Sequence, residues 1–327
     1  MTSRSWWMPR SLKTMIPEKK AAFVAVAGRP SAGKSTLVNL LCGAKVAIVS
    51  PVPQTTRNAI RGILTRPEGQ LVFVDTPGRH NSERKLNKKL MEVSDRALDD
   101  SDLVLYVLDA SRAPGAEEEA VAARLLPLTG KTIAAINKMD LPSADSERAL
   151  RFLHDKLPGL PSSRCFAISS LQKEGAESDR ETAGLTACLF EMAIAGEPMY
   201  PEDCYTDQEV SFRIAEIIRE KAVHRLREEL PHSLYVQVED VELRDAGESA
   251  RTAEPAKTLW VRAFIITERE SQKGMIVGKG GRMIKSIRLA ALKDLNRIFE
   301  WKVELDLRIK TGKDWRHNDK VLHRIIS

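Results

Sequence analysis

An α/β fold with helices on both faces of a sheet, followed by a separate α+β domain, is what three observations in this sequence predict. Short apolar runs alternate with amphipathic helical stretches from Ala21 to about residue 195. The first run leads into Gly28-Arg29-Pro30-Ser31-Ala32-Gly33-Lys34-Ser35-Thr36, which has the spacing Gly-x-x-x-x-Gly-Lys-Ser/Thr of a phosphate-binding loop. After a proline-containing break the pattern becomes helix, strand, strand, helix, helix, strand. A length of 327 residues suits two domains, and 43% hydrophobic residues is ordinary for a globular chain with a sizeable core.

Residues 1–20 are rich in Ser, Arg and Lys, carry Trp6-Trp7 and have no acid before Glu18; they read as a flexible extension, with Met15 an alternative start. Phe23 to Ala27 is the first strand, and Leu37, Leu40 and Leu41 recur at helical spacing until Gly43. Leu71 to Val74 is the next strand and ends in Asp75-Thr76-Pro77-Gly78. Between Glu83 and Asp99, Leu86, Leu90, Val93 and Ala97 form the apolar stripe of a helix. Leu103 to Leu108, ending at Asp109, Thr132 to Ile136, ending in Asn137-Lys138-Met139-Asp140, and Cys165 to Ile168, ending in Ser169-Ser170, complete the strands. Every polar cluster follows the carboxyl end of a strand, the edge where open α/β sheets bind ligands.

Gly196 to Thr206, with Pro198 and Pro201, reads as a linker, and Thr206-Asp207-Gln208-Glu209 as a capping box that opens a helix bearing Val210, Ile214, Ile217, Ile218 and Leu226. Leu234, Val236 and Val238 then alternate with polar residues, a polar loop runs from about Asp245 to Ala256, and Leu259 to Ile266 is a strand. A short helix, the turn Gly278-Lys279-Gly280-Gly281, a longer helix marked by Ile284, Ile287, Ala291, Leu295 and Ile298, and a strand from Val303 to Ile309 follow. Met275, Ile276 and Val277 read as core or groove floor.

The residue types of the first half fit one ligand. Gly28 and Gly33 let the backbone curl into a nest of N–H donors at a helix start, Lys34 places a compact charge on the outer phosphates of a triphosphate, and Ser35 and Thr36 follow at the helix start, Ser35 to hold magnesium. Asp75 can hold the same ion directly or through water, and the Gly78 amide can donate to a γ-phosphate. The Asp140 carboxylate can accept both the N1–H and the exocyclic amine of guanine, and rejects adenine by a factor on the order of 10⁴ because the carboxylate would be left unpaired. Asn137 either reads the N7 and O6 edge or ties its loop to the phosphate loop, while the stem of Lys138 covers the base. The three motifs in this order predict a guanine nucleotide site.

Several classes are excluded. Apolar runs in the body of the chain such as Leu103 to Leu108 are far too short to span a bilayer, although peripheral contact is left open. Cys42, Cys165, Cys188 and Cys204 show neither a C-x-x-C pair nor a histidine cluster, and read as reduced cysteines of a cytosolic protein. Of the formal charge of +6, the stretch from Ser271 to the end carries fourteen Lys or Arg against six Asp or Glu, which leaves the first 270 residues slightly acidic. Basic charge concentrated at one end is the footprint of a polyanion partner.

The ordered motifs resemble those of translation-factor-related GTPases, and the second half narrows the resemblance to Era-like GTPases, bacterial proteins that bind small-subunit ribosomal RNA. The residues that carry it are Tyr200-Pro201-Glu202-Asp203, Glu216-Ile217-Ile218-Arg219-Glu220-Lys221, Glu229-Leu230-Pro231, Glu268-Arg269-Glu270-Ser271-Gln272-Lys273 and the turn at Gly278. The likeness runs from about Ala21 to the C-terminus. It implies a P-loop GTPase domain with a mixed sheet over residues 21–195, a linker over 196–206, and a type II KH domain with a C-terminal tail over 207–327. It implies a slow GTP-to-GDP hydrolysis in which Lys34, Thr56 and Gly78 are catalytic, with Mg²⁺ held by Ser35, Thr56 and Asp75. Gln54-Thr55-Thr56-Arg57 would be switch I, and Ser169-Ser170-Leu171 the loop whose backbone supports guanine. In the KH domain, the Gly-x-x-Gly turn needs glycines so that the backbone can clamp about four single-stranded nucleotides. Gly278, Lys279, Gly280 and Gly281, with Arg282, Lys285 and Arg288 after them, would make the RNA contacts. The implied partners are the single-stranded 3′ end of small-subunit ribosomal RNA and the small ribosomal subunit, whose maturation the protein would serve. The implied place is the cytoplasm, with peripheral contact at the inner face of the cell membrane left open.

Two positions depart from the family pattern. Ser31-Ala32 stands where such P-loops commonly carry Asn-Val; that asparagine helps bind an activating potassium ion in related GTPases, which leaves potassium dependence doubtful here, although serine still offers one oxygen. Arg79 stands where Ras-like enzymes place a water-orienting glutamine, and reads as a solvent-facing loop residue or a charge stabiliser. A rival reading is a nucleotide-stabilised RNA-binding scaffold with negligible turnover.

Overall fold

The computed structural model describes residues 18–50, 52, 56–77, 85–171, 178–245 and 257–326. Its first sheet is built from β1 (Lys20–Ala27), β2 (Ile60–Arg66), β3 (Gly69–Asp75), β4 (Leu103–Asp109), β5 (Thr132–Asn137), β6 (Cys165–Ala167) and the two-residue β7 (Ile194–Ala195). The order is β2-β3-β1-β4-β5-β6, with β7 beside the start of β1. β1 pairs in parallel with β3 and β4, and β4-β5-β6 continue in parallel. β2 and β7 run antiparallel to their neighbours, so the sheet is mixed.

Strand alternation explains the layers. Val24 and Val26 of β1 face α1 (Lys34–Cys42) and α5 (Ser178–Met192), packing with Leu37, Leu41, Leu185 and Leu189. Ala25 and Ala27 face the other way, toward Leu98 of α2 (Lys85–Asp100), Val121 and Leu125 of α3 (Ala116–Leu125), and Leu153 of α4 (Ser146–Lys156). Central strands β3 and β4 are buried along their whole length, as expected of strands covered on both sides.

The second sheet has three strands, in the order β10-β9-β8: β8 (Leu234–Asp245) antiparallel to β9 (Lys257–Thr267), and β10 (Lys302–Thr311) parallel to it. α6 (Val210–Val223) and α8 (Arg282–Ile298) cover one face, where Ile214, Ile217, Ile218, Ile287, Ala291 and Leu295 meet Leu259, Val261, Ala263, Ile265, Val303 and Leu305. α7 (Glu270–Val277) stands between β9 and α8. The opposite face is partly covered by Trp315 and by α9 (Asp319–Ile326), whose Leu322 packs with Tyr235, Phe264 and Ile266.

Four expectations are corrected. β2 has no counterpart in the predicted strands, because Gly62 interrupts a short run at the edge of the sheet. α9 lies in what read as a tail. The stripe of α2 turns Leu90, Ser94 and Leu98 into the protein, with Val93 and Ala97 only half-buried; the side chain of Leu86 lies outside the described residues. Thr206 does not cap a helix. α6 starts at Val210 after Glu209, which makes no side-chain cap bond, and Thr206 Oγ1 donates instead to the Arg61 carbonyl at 2.8 Å. Val210 accordingly stays exposed. The extension up to residue 17 and the loop at 246–256 lie outside the described residues.

Candidate functional site

The Gly28–Thr36 loop joins β1 to α1. Gly33 has a left-handed backbone (φ 99°), and a Cβ there would lie 2.3 Å from Asn137 Nδ2, so both conformation and space demand glycine. Ser31, exposed at the tip, is also left-handed (φ 60°), a strained conformation that asparagine tolerates better than serine. Lys34 is buried, and its Nζ donates to the Gly28 and Arg29 carbonyls at 3.0 Å each. Burial pushes its pKa below 10.5, against the pull of Asp75 and Glu118. The ammonium is thus held over its own loop at the place where anionic oxygens would relieve its desolvation.

Three oxygens meet beside it. Ser35 Oγ donates to Asp75 Oδ2 at 2.6 Å, Ser35 and Thr56 hydroxyls lie 3.0 Å apart, and Thr56 Oγ1 reaches the same Oδ2 at 3.4 Å. Asp75 is fully buried at the end of β3, and its Oδ1 has no partner. Burial raises its pKa above 3.8; Lys34, Ser35 and Thr56 oppose the rise. One carboxylate and two hydroxyls around an orphaned buried oxygen suit a hard cation such as Mg²⁺, which favours one or two carboxylates with its other positions left to water and phosphate. The residues present therefore fit the ion.

On the far side, Asn137 is wholly buried at the end of β5. Its Nδ2 donates to the Ala32 carbonyl at 2.9 Å and to Ser170 Oγ at 3.0 Å, and its Oδ1 accepts from the Ser170 amide at 3.0 Å. Of the two roles open to Asn137, the geometry is that of a tie between loops, and the Ser170 amide is engaged in it. Asp140 Oδ1 accepts from Ser169 Oγ at 2.5 Å, which aims the carboxylate. A cavity of about 380 Å³ opens between these loops. Ser31, Gly33, Lys34, Ser35, Thr36, Thr56, Lys138, Asp140 and Ser170 line it; Gly28, Asp75, Asn137 and Ser169 do not reach its wall. Arg112, to which no motif pointed, and the exposed Leu171, the last residue of the Ser169-Ser170-Leu171 loop, also line it. Gln54, Thr55, Gly78 and Arg79 lie outside the described residues.

In the second domain the glycine turn links α7 to α8. Gly278, Gly280 and Gly281 all have positive φ (69°, 62° and 72°), and a Cβ on Gly278 would lie 2.7 Å from Met283 Cβ. Lys279, Arg282 and Lys285 are exposed beside the turn. Arg288 is turned away: its Nε donates to the Leu305 carbonyl at 2.6 Å. Ile276 is core, but Met275 is 59% exposed because the short α7 buries only one side.

The two domains are joined next to Thr56. Arg57 is buried; its Nη1 donates to the Leu234 carbonyl at 2.9 Å, and its guanidinium lies 5.6 Å from the Trp315 ring centre. Burial, and after it the neighbouring Arg219, pushes its pKa down to about 9. A second tie lies nearby. Lys45 pairs with Glu220 of α6 at 2.6 Å and with Asp294 of α8 at 2.7 Å, Lys221 bridges the same two acids, and Glu220 Oε1 accepts from the Val49 amide at 3.0 Å. None of these contacts was visible in a motif.

Comparison with known proteins matches both halves. Residues 23–138 match the family model described as a 50S ribosome-binding GTPase, and residues 229–316 match the KH domain model. The chain is 48% identical over 302 residues to GTPase Era of Treponema denticola, covering 92% of this chain and 98% of that protein. It is 41% identical over 308 residues to GTPase Era of Borreliella afzelii, covering 94% and 100%. Among solved structures, a point variant of Aquifex aeolicus Era bound to GDP·AlF4⁻ superposes with a TM-score of 0.82 at 32% identity, covering 93% of this chain and 98% of that one. Era in complex with MgGDPNP and nucleotides 1506–1542 of 16S ribosomal RNA gives the same TM-score, identity and coverage.

Proposed function

This chain belongs to the Era family of GTPases, and we propose that it is a GTP-driven switch whose nucleotide state governs how its KH domain holds the single-stranded 3′ end of small-subunit ribosomal RNA. As a GTPase it binds GTP and cleaves it to GDP and phosphate by attack of water on the γ-phosphorus. In our reading the GTPase domain spans residues 21–195, a linker 196–206, and the KH domain 207–327.

Lys34 places its charge on the outer phosphates, and the N–H nest between Gly28 and Gly33 receives them. Ser35, Thr56 and Asp75 would hold Mg²⁺, which when bound offsets the charge that develops on the β- and γ-oxygens. Asp140 accepts from the guanine edge, held in aim by Ser169, while Asn137 and Ser170 fix the loop beneath it. Gly78 would donate to the γ-phosphate. Ser31 stands where related GTPases have a potassium-binding asparagine, which argues against a dependence on potassium, although serine still offers one oxygen.

The observation that carries the switch is the adjacency of Thr56 and Arg57. Thr56 faces Ser35 and Asp75, and the next side chain is embedded in the KH domain. When Thr56 is drawn to an ion and a γ-phosphate, Arg57 shifts with it, and the pull reaches β8 and Trp315. The RNA assignment rests on the exposed glycine turn, the basic α8 and the RNA held by a relative that matches 93% of this chain. The N-terminal model's description names the 50S particle, but it matches only residues 23–138, whereas the relative bound to 16S RNA is similar along both domains. Small-subunit maturation in the cytoplasm is the process we infer; no helix among the described residues is long and apolar enough to cross a membrane.

Steady-state phosphate release from GTP, with and without the 3′-terminal RNA, tests the enzyme reading against a scaffold with negligible turnover. Release well above a Lys34→Ala control is expected. Release equal to that control would leave only the scaffold.

A further inference from the structure

Behind the nucleotide cavity lies a carboxylate that no motif identified. Asp109, at the end of β4, is 3% exposed. Its Oδ2 accepts from Arg29 Nη2 at 2.7 Å and from Lys138 Nζ at 2.8 Å. Its Oδ1 accepts from the Ser111 amide at 3.0 Å and the Ser111 hydroxyl at 2.5 Å. Arg29 belongs to the phosphate loop, Lys138 to the base loop, and Ser111 precedes Arg112 at the cavity rim. Arg29 pairs also, through Nε, with buried Glu118 of α3 at 3.0 Å, and the Tyr106 hydroxyl donates to Glu118 at 2.7 Å. Burial disfavours the Asp109 anion, but the Lys138 ammonium and the Ser111 donors outweigh it and hold the carboxyl below its usual 3.8.

We propose that Asp109 is a positioning residue that makes guanine recognition and phosphate recognition interdependent, by holding Lys138 of the base loop and Arg29 of the phosphate loop on one carboxylate oxygen. The proposal rests on the GTPase reading. Lys138 has a left-handed backbone (φ 70°), a conformation rarely adopted by a lysine, and the bond to Asp109 holds it there with its stem along the cavity wall. On the other side, the Arg29 carbonyl accepts from Lys34 Nζ, so the lysine that meets the phosphates is one residue from Asp109. Arg29 and Lys138 are both cations and do not bond to one another. Their common partner is a second route, beside the Asn137–Ala32 bond, by which an ordered base loop orders the phosphate loop.

Asp109→Asn keeps the shape and removes the charge. In the full chain it is expected to raise the Kd for GDP and the KM for GTP about tenfold, the scale of one charge-assisted hydrogen bond, with kcat held within about twofold. Combining it with Lys138→Met should add less than a further twofold, because both changes break one link. Arg29→Met with Lys138→Met gives an independent cycle that leaves Asp109 in place, and these losses should also fall short of multiplying. Unchanged affinity in Asp109→Asn, or losses that multiply in the Arg29/Lys138 cycle, would overturn the proposal. So would a lowered melting temperature of the nucleotide-free variant with affinity intact, the mark of a purely structural role. Failure of the unsubstituted chain to bind GDP would overturn the underlying GTPase reading instead.

Discussion

Arg57, the residue after Thr56, donates a hydrogen bond of 2.9 Å to the carbonyl oxygen of Leu234, the first residue of β8 in the KH domain. A guanidinium is costly to bury, and the fall of its pKa to about 9 reports that cost. The carbonyl and the Trp315 ring offset it. Arg57→Ala removes both contacts and is expected to destabilise the protein by about 2 kcal/mol, the worth of a hydrogen bond to a charged group. Phosphate release should persist, whereas the dependence of RNA affinity on nucleotide state should disappear. Binding titrations with GDP and with a non-hydrolysable GTP analogue read this out; an undiminished dependence would show that the signal travels elsewhere.

Asp140→Asn exchanges an acceptor pair for an amide. The variant should lose GTP affinity by two or more orders of magnitude and gain affinity for xanthosine triphosphate, whose 2-carbonyl oxygen accepts from the amide; the order-of-magnitude loss follows from leaving the guanine donors unpaired. Competition titration with the two triphosphates checks the exchange, and unchanged GTP affinity would remove Asp140 from base recognition.

Replacing Lys279 and Gly280 together by Asp puts two negative charges on the exposed turn that would face an RNA backbone. Single-strand RNA binding should fall below detection while GDP affinity stays within about twofold, since the turn lies in the other domain and the strain of a side chain at the positive φ of Gly280 is local to it. Retained RNA binding would move the RNA site away from this turn.

The sequence read well where a chemical task imposes spacing. The phosphate loop, Asp75 and Asn137 through Asp140 fall at strand ends, and the structure gathers them around one cavity. It read poorly where position depends on distant chain. Arg57 and Leu234 are 177 residues apart, and no periodicity pairs them. Asp109 looks like any acid ending a strand until Arg29 and Lys138 fold onto it. Thr206 had the local signature of a cap, but a tertiary bond to Arg61 took its hydroxyl. β2 and α9 were missed because a short edge strand holding Gly62 and an eight-residue terminal helix gain their order from packing rather than from propensity.

The second tie between the domains predicts acid sensitivity. Burial opposes ionisation of Glu220, but Lys221, Lys45 and the Val49 amide hold its pKa below 4.5; burial likewise opposes Asp294, and Lys221 and Lys45 hold it below 3.8. A carboxylate with a depressed folded-state pKa contributes stability that is complete above its ordinary pKa and lost as the pH falls through the depressed one. The tie should therefore be intact above pH 4.5 and fail progressively below pH 3.8. Melting curves across this window should show an acid loss that is smaller in Glu220→Gln. An equal loss in both proteins would place the acid lability elsewhere.

The switch is tested most directly by the affinity of the unsubstituted chain for single-stranded RNA of the small-subunit 3′ end, measured with Mg²⁺ and either GDP or a non-hydrolysable GTP analogue at fixed salt. The expected result is binding at least about tenfold tighter with the analogue, a coupling of about 1.4 kcal/mol. Equal affinity in the two nucleotide states would contradict it.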